Sequence, residues 1–446
     1  MADTKISALP EATALTGVEL FLASQAAADV KATLQRLRDE LDWVRPADWP
    51  AMPATAANTI HALVAIHDHA SNNHAVRISV SSGTYSVNWG DGTTTTGITS
   101  NATTEHTYDY SDVDLPAVTS RGYKVAIVTI TTSGGNITIV NTSVAPAGNS
   151  APLPWLELQI NTPAATAFNT FGGARLCEHI TFAAIGTVTS VSFDGMAALV
   201  RIDQPGTLFS SITSLQNTFR GCSSLRRVNL SSLGTGITTI QGAFQNCSSL
   251  TELTFPSGTL GSSLTNVSQA FSNCARLTSL TLPSGAFSHV ANASGAFAGC
   301  AALGWLVFPS GALVAATNLN NAFGSCTSLR YVEFASALAA VTDVGAMFAT
   351  CTVLQRVKFA SGGFGSLSSA TTNLFNGCSS LSRVENCSIP LTFSLANCRL
   401  GAAALDEIYT ALPTISSQTV TVTGNYGTSG DTPSTATGKG WTVTGS

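Results

Sequence analysis

Seven cysteines, Cys222, Cys247, Cys274, Cys300, Cys326, Cys351 and Cys378, each stand three residues after a phenylalanine and three before a leucine. A thiol can attack a carbonyl, ligate zinc or form a disulfide. A nucleophile would occur once. Structural zinc sites pair ligands about two to five residues apart, whereas these lie 25–27 apart. Disulfides between neighbours are the stronger alternative, because stacked copies bring Cα atoms into range. Side chains stacked in one direction cannot all pair, however, and the reading taken is a ladder of buried free thiols.

Other residues invite chemistry less strongly. His61, His67, His69 and His74 cluster, and His67-x-His69 could hold a metal; the alternative is plain polar strand or linker residues. Asp91 in "GDG" could be a calcium ligand or an acid, and is read as a turn aspartate. Between Phe168 and Leu400 the acids are Glu178, Asp194, Asp203, Glu252, Glu333, Asp343 and Glu385. Glu333 and Glu385 fall at one outward position two repeats apart, and Glu252 at another, so no close carboxylate pair for glycoside cleavage emerges. No Ser-His-Asp order or phosphate loop is seen. We expect no catalytic residue, no cofactor and no metal centre.

What must position these residues is a repeat. Phe219, Phe244, Phe271, Phe297, Phe323, Phe348 and Phe375 are 25, 27, 26, 26, 25 and 27 apart, with the cysteines and then Leu225 to Leu381 in step. Weaker copies begin at Phe171 and Phe193, with Ala174 and Met196 in the cysteine place, which makes nine repeats ending near Asn386. A fixed period of this size marks a solenoid. In "LTELTF", Leu253 and Phe255 share one face while Glu252 and Thr254 share the other, which reads as a short half-buried strand. Stacked in parallel about 4.8 Å apart, nine such rungs span roughly 40 Å. The unit "AF-x-x-C-x-x-L-x-x-L-x-[LF]-P" resembles BspA-type leucine-rich repeats. That resemblance implies binding rather than catalysis, since such repeats occur in bacterial surface adhesins and in phage proteins.

One outward column runs His179, Arg227, Glu252, Ser279, Trp305, Tyr331, Arg356 and Arg383. Trp305 and Tyr331 on adjacent rungs, with Arg356 next and Arg227 and Arg383 in the same column, form the candidate recognition surface. The alternative is a contact between subunits or with the preceding domain that hides both rings.

The expected fold class is mainly β, with a short N-terminal helical coiled-coil segment, a β-sandwich, a parallel-stranded solenoid and a C-terminal α/β cap. The boundaries are 1–45 for an attachment peptide and helix, 46–74 for a linker, 75–145 for the sandwich, 146–167 for a linker and N-terminal cap, 168–398 for the solenoid and 399–446 for the C-terminal cap. "WGDGT", "EHTY" and "GYKVAIVT" (from Trp89, Glu105 and Gly122) resemble a PKD-like module, which implies a spacer or weak binder. In the cap, Leu405, Ile408, Tyr409 and Leu412 share a helical face.

Near the N-terminus, Val30, Leu34, Leu37, Leu41 and Val44 step by 4, 3, 4 and 3, a short coiled-coil seam stopped by Pro46. "MADTKISALPEATALTGVELFLASQ" with "DVKATLQRLRD" resembles the N-terminal peptide of tailed-phage fibres and appendages. That implies docking to another virion protein through residues 1–28, a homotrimer, and a place in the virion. Asp3 and the lack of a basic, apolar leader give no secretion signal, and no stretch approaches the roughly 18 apolar residues of a membrane span. A net charge of −5 without Lys/Arg clusters argues against nucleic acid. The expected function is thus a non-enzymatic fibre or appendage that binds a host-surface glycan or protein; a bacterial surface adhesin and a depolymerase spike are the alternatives.

Overall fold

A computed structural model describes residues 4–5, 21–22, 43–68, 73–141, 155–169, 174–204, 206–256, 260–282 and 285–446. The chain divides into two units, Met1–Pro50 and Ala51–Ser446. In the first, β1 (Thr4–Lys5) pairs antiparallel with β2 (Phe21–Leu22). Val30, Leu34, Leu37 and Leu41 of the coiled-coil seam lie outside the described residues. Val44 is exposed, and Arg45 packs over the Trp49 ring at 5.7 Å.

The second unit opens with two sheets around one core. β3 (Thr59–Ile66), β8 (Lys124–Thr132), β5 (Thr84–Asn88) and β6 (Thr94–Thr99) lie side by side in one sheet. β9 (Ile137–Asn141), β4 (Asn73–Val80) and β7 (Thr104–Thr107) form the other. Tyr85, Val87 and Trp89 from the first sheet and Val76 and Ile78 from the second belong to the shared core. The expected linker at 46–74 is corrected here: "TIHALVAI" is β3, buried along its whole length between β8 and its other neighbour. A strand buried on both faces shows no alternation, so its apolar run does not read as a strand edge. Asp91 makes the turn that closes β5 onto β6. Its Oδ1 accepts the Thr93 N–H at 3.0 Å and the Thr93 hydroxyl at 2.6 Å, while Oδ2 meets His106 Nε2 at 2.6 Å. Gly90 and Gly92, at φ +82° and +85°, supply the left-handed backbone this loop requires.

Both sheets continue into the solenoid. β10 (Trp155–Thr162) pairs antiparallel with β3 and parallel with β12 (His179–Ile185), which in turn pairs with β14 (Arg201–Asp203). β11 (Ala167–Asn169) pairs with β9 and with β13 (Ser190–Val191). Residues 155–167, expected as linker and cap, therefore weld the two parts through ladder hydrogen bonds.

Beyond this joint the repeats stack rung on rung. Eight phenylalanine rings from Phe193 to Phe375 stack at 5.2–5.7 Å. Parallel strands form on one side: β15 (Arg227–Asn229) with β16 (Glu252–Thr254), then β17 (Trp305–Phe308), β18 (Tyr331–Phe334), β19 (Arg356–Lys358) and β20 (Arg383–Glu385) as a sheet of four. A second column of single bridges joins Ser214, Thr239, Asn266, Asn292, Asn318 and Asp343. Asn266, Asn292, Asn318 and Asp343 each accept the N–H two residues on at 2.9–3.0 Å, which fixes the turn before each phenylalanine.

The stacking does not end near Asn386. Leu395 N–H bonds to Thr421 and Cys398 N–H to Leu395, as the Phe and Cys positions do in earlier rungs. Val422 and Asn425 repeat this once more, and Asn425 Nδ2 donates to Leu395 O at 2.8 Å, the bond a cysteine makes elsewhere. The segment expected as a separate cap thus carries a further rung, with α1 (Ala402–Ala411), α2 (Ser434–Thr437) and the sheet of β21 (Phe393–Ser394), β22 (Gln418–Thr421) and β23 (Trp441–Thr444) built around it. Leu405, Ile408, Tyr409 and Leu412 are buried, and Lys439 Nζ donates to the carbonyls of Tyr409 and Thr410 at the end of α1 and of Leu412 just past it.

Candidate recognition face

Each repeat's leucine and apolar strand residues point inward, so the alternate strand positions face water. The structure places the outward column in register: Arg227 opposite Glu252, Trp305 opposite Tyr331, Tyr331 opposite Arg356, and Arg356 opposite Arg383. Trp305 is 58% exposed. The Arg356 guanidinium lies 5.5 Å from the centre of the Tyr331 ring, a cation–π contact. Loss of water around it and the Glu333 carboxylate push the Tyr331 phenol up to about 12.

A second outward column, two residues further along each strand, places Val307, Glu333, Lys358 and Glu385 side by side. Tyr331 donates to Glu333, Lys358 Nζ lies 2.7 Å from Glu333, and Arg356 pairs with Glu385. Arg383 reaches Glu407 at 3.0 Å. Lys358, beside Glu333, and Arg356, beside Glu385, hold those carboxyls below the usual range. Lys358 stands between the two carboxylates, so the column is an ion-pair lattice. This alternation of charge was legible in the aligned repeats, but the sequence reading passed over it.

Not every candidate joins the patch. Arg227 sits on the separate pair of strands, three rungs before Trp305, and lies 3.4 Å from Glu252. His179, at the head of the column, is buried between Glu157 (3.4 Å) and Asp203 (2.8 Å). Burial works against its charge, but the two carboxylates outweigh it and raise its pKa. His67 is exposed at the surface, His69 lies outside the described residues, and His61 and His74 are buried in β3 and β4. Among the described residues no group of three or more His, Cys, Asp or Glu is placed to hold a metal ion.

All ten cysteines are buried free thiols. Sγ of each of the seven ladder cysteines donates to the phenylalanine carbonyl of the preceding repeat at 2.9–3.2 Å. The same carbonyl accepts the N–H of its own repeat's cysteine, or of Met196 in the case of Phe193, so each thiol adds a bond between rungs. Spacing alone carried no sign of this second role.

A parallel strand face, a phenylalanine stack and a thiol ladder define a leucine-rich-repeat solenoid. The family model described as the BspA type leucine rich repeat region matches residues 166–262 and 264–394, in six copies. The chain belongs to this family. It is also similar to a leucine rich cell surface protein from Faecalibacterium prausnitzii A2-165, at 18% identity and a TM-score of 0.28, over 62% of this chain and 88% of that one. No curated protein matches it. No described helix is long and apolar enough to cross a membrane.

Proposed function

We propose that this chain is a non-enzymatic, adhesin-like recognition protein whose solenoid offers the Trp305–Tyr331–Arg356 face to a molecule on a cell surface. The observation that carries this reading is the exposed Trp305 ring beside Tyr331, on a face built mostly of hydroxyl and charged side chains with Val307 as its other exposed apolar group. Large exposed aromatics are what binding surfaces concentrate. Family membership supports it, since repeats of this type occur in surface adhesins. A Trp305→Ala/Tyr331→Ala double variant tests it. Loss of attachment to target cells, with melting temperature and self-association unchanged, is expected; unchanged attachment would overturn the reading.

A second reading rests on the wording of residues 1–41. They resemble a phage attachment peptide followed by a coiled-coil seam, which would make the protein a trimeric virion fibre or appendage and the sandwich a PKD-like spacer. Sedimentation of the full chain and of a Leu37→Asp variant tests the trimer. Gold labelling of phage particles against bacterial envelopes separates the two settings.

A further inference from the structure

The strand face is parted between β14 and β15, and again after β16. β16 has β15 on one side, but the next rung, Ser279–Thr281, forms no strand, and the four-stranded sheet begins only at β17. Among the described residues no backbone hydrogen bond joins 251–254 to 278–281. The core behind stays closed: Phe244 N–H bonds to Ala270, Asn246 to Ser272, and the bridge column runs on from Thr239 to Asn266.

The result is an open cleft of about 510 Å³ lined by Thr251, Glu252, Thr254, Ser279 and Thr281 over a floor that includes Phe255, within the roughly 300–1,000 Å³ of small-molecule sites. Its far wall adjoins the aromatic patch. Gly304 N–H bonds to Thr278 O at 3.2 Å, so Trp305, one residue on, stands beside Ser279. Ser279 is the smallest side chain of its column and is itself exposed, so the Trp305 ring has little beside it on that side.

We propose that a neutral oligosaccharide binds across this parted face, one pyranose ring lying on Trp305 and the hydroxyls of the next entering the cleft. The inference rests on the recognition reading above and names its ligand. The chemistry fits on three counts. An exposed indole offers an apolar plate for the C–H face of a sugar. Four Ser and Thr hydroxyls both donate and accept, as sugar hydroxyls do, and the facing strand edges leave backbone groups unpaired with each other. The charged group lining the cleft is the Glu252 carboxylate, 3.4 Å from Arg227; it accepts hydroxyl protons, and among the described residues the lining holds no cation to draw in an acidic sugar.

Titration calorimetry of the full chain against a panel of neutral hexose oligosaccharides and their uronic-acid counterparts tests this. We expect a neutral oligosaccharide to bind, with affinity lowered at least tenfold by Trp305→Ala and by Ser279→Leu, which fills the cleft from an exposed position. Thr281→Val removes a hydroxyl at nearly constant shape and should weaken binding with an unchanged melting temperature. Binding that survives both Ser279→Leu and Thr281→Val, or a preference for the uronic acids, would overturn the proposal. A silent panel combined with attachment lost in the Trp305→Ala/Tyr331→Ala variant would reject the saccharide and leave the recognition reading standing. A silent panel with attachment unchanged would remove both.

Discussion

At the scale of single residues, burial decides the chemistry. Removal from water disfavours a thiolate, so Cys247 and Cys300 are pushed up to about 12. A bulky thiol reagent should therefore find few groups in the native protein and all ten after unfolding without reductant; groups that stay hidden until reductant is added would mean disulfides. His74 is the converse case. It is fully buried, its ring nitrogens have no hydrogen-bond partner, and its rings meet Tyr108 edge-on at 4.8 Å. Burial first, then the neighbouring His106 and His67, lower its pKa to about 3. Folding thus holds His74 neutral while the unfolded chain protonates near 6.5. Its share of stability is complete above that pH and is lost as pH falls toward 3, at about 1.4 kcal/mol per unit. A His74→Phe variant should lose less stability than the parent between pH 6.5 and 4 in denaturant titrations; equal losses would show that other groups control the acid limb.

At the scale of the element, the repeat is a closed turn of chain whose corners have fixed hands. The residue two after each phenylalanine lies in the left-handed region: Gly221, Asn246, Asn273, Gly299, Ser325, Thr350 and Gly377 have φ between +60° and +77°. Glycine and asparagine tolerate that region, whereas a β-branched side chain is strained in it. Thr350→Asn should raise stability by up to about 1 kcal/mol, and Gly299→Thr should lower it by about 1–2 kcal/mol. At Gly299 an added Cβ would also lie 2.2 Å from Asn273 Oδ1. Thermal melts of the two variants check both signs. A loss of stability in Thr350→Asn would mean that its hydroxyl bond to Ser325, at 3.0 Å, outweighs the strain.

At the scale of the larger unit, the two-sheet domain is the solenoid's first support. An open solenoid end exposes core and an unpaired strand edge. Here β10 covers that edge, with Leu158 and Ile160 buried against both neighbours. A chain shortened to begin at Ala174 leaves β12 without its partner and exposes Ile180 and Phe182. It should aggregate by light scattering to sizes beyond those of the full chain. A shortened chain that does not aggregate and keeps the parent's melting temperature would show that the sheets are continuous in geometry but independent in energy.

The period, the phenylalanine and cysteine ladders and the outward column from Arg227 to Arg383 were all determined by the sequence alone. The physical reason is that side chains recurring every 25–27 residues on short strands bury themselves by stacking on their own copies. The helical face of α1 was legible for a similar local reason, a 3.6-residue period. Tertiary structure decided what depends on a partner far away in the chain. β3 is a central strand only because β10 returns beside it, and its even apolar run carries no alternation to announce that. Asn425 takes the cysteine's place because Leu395 O is there to receive its amide, and one residue type replacing another breaks the pattern a sequence can show. The parting between Glu252 and Ser279 arises from which rungs hydrogen-bond, not from which residues they contain. "LTSLTLPSG" alternates as well as its neighbours do, yet only the stacked backbone decides that it stands apart and opens a cleft beside Trp305.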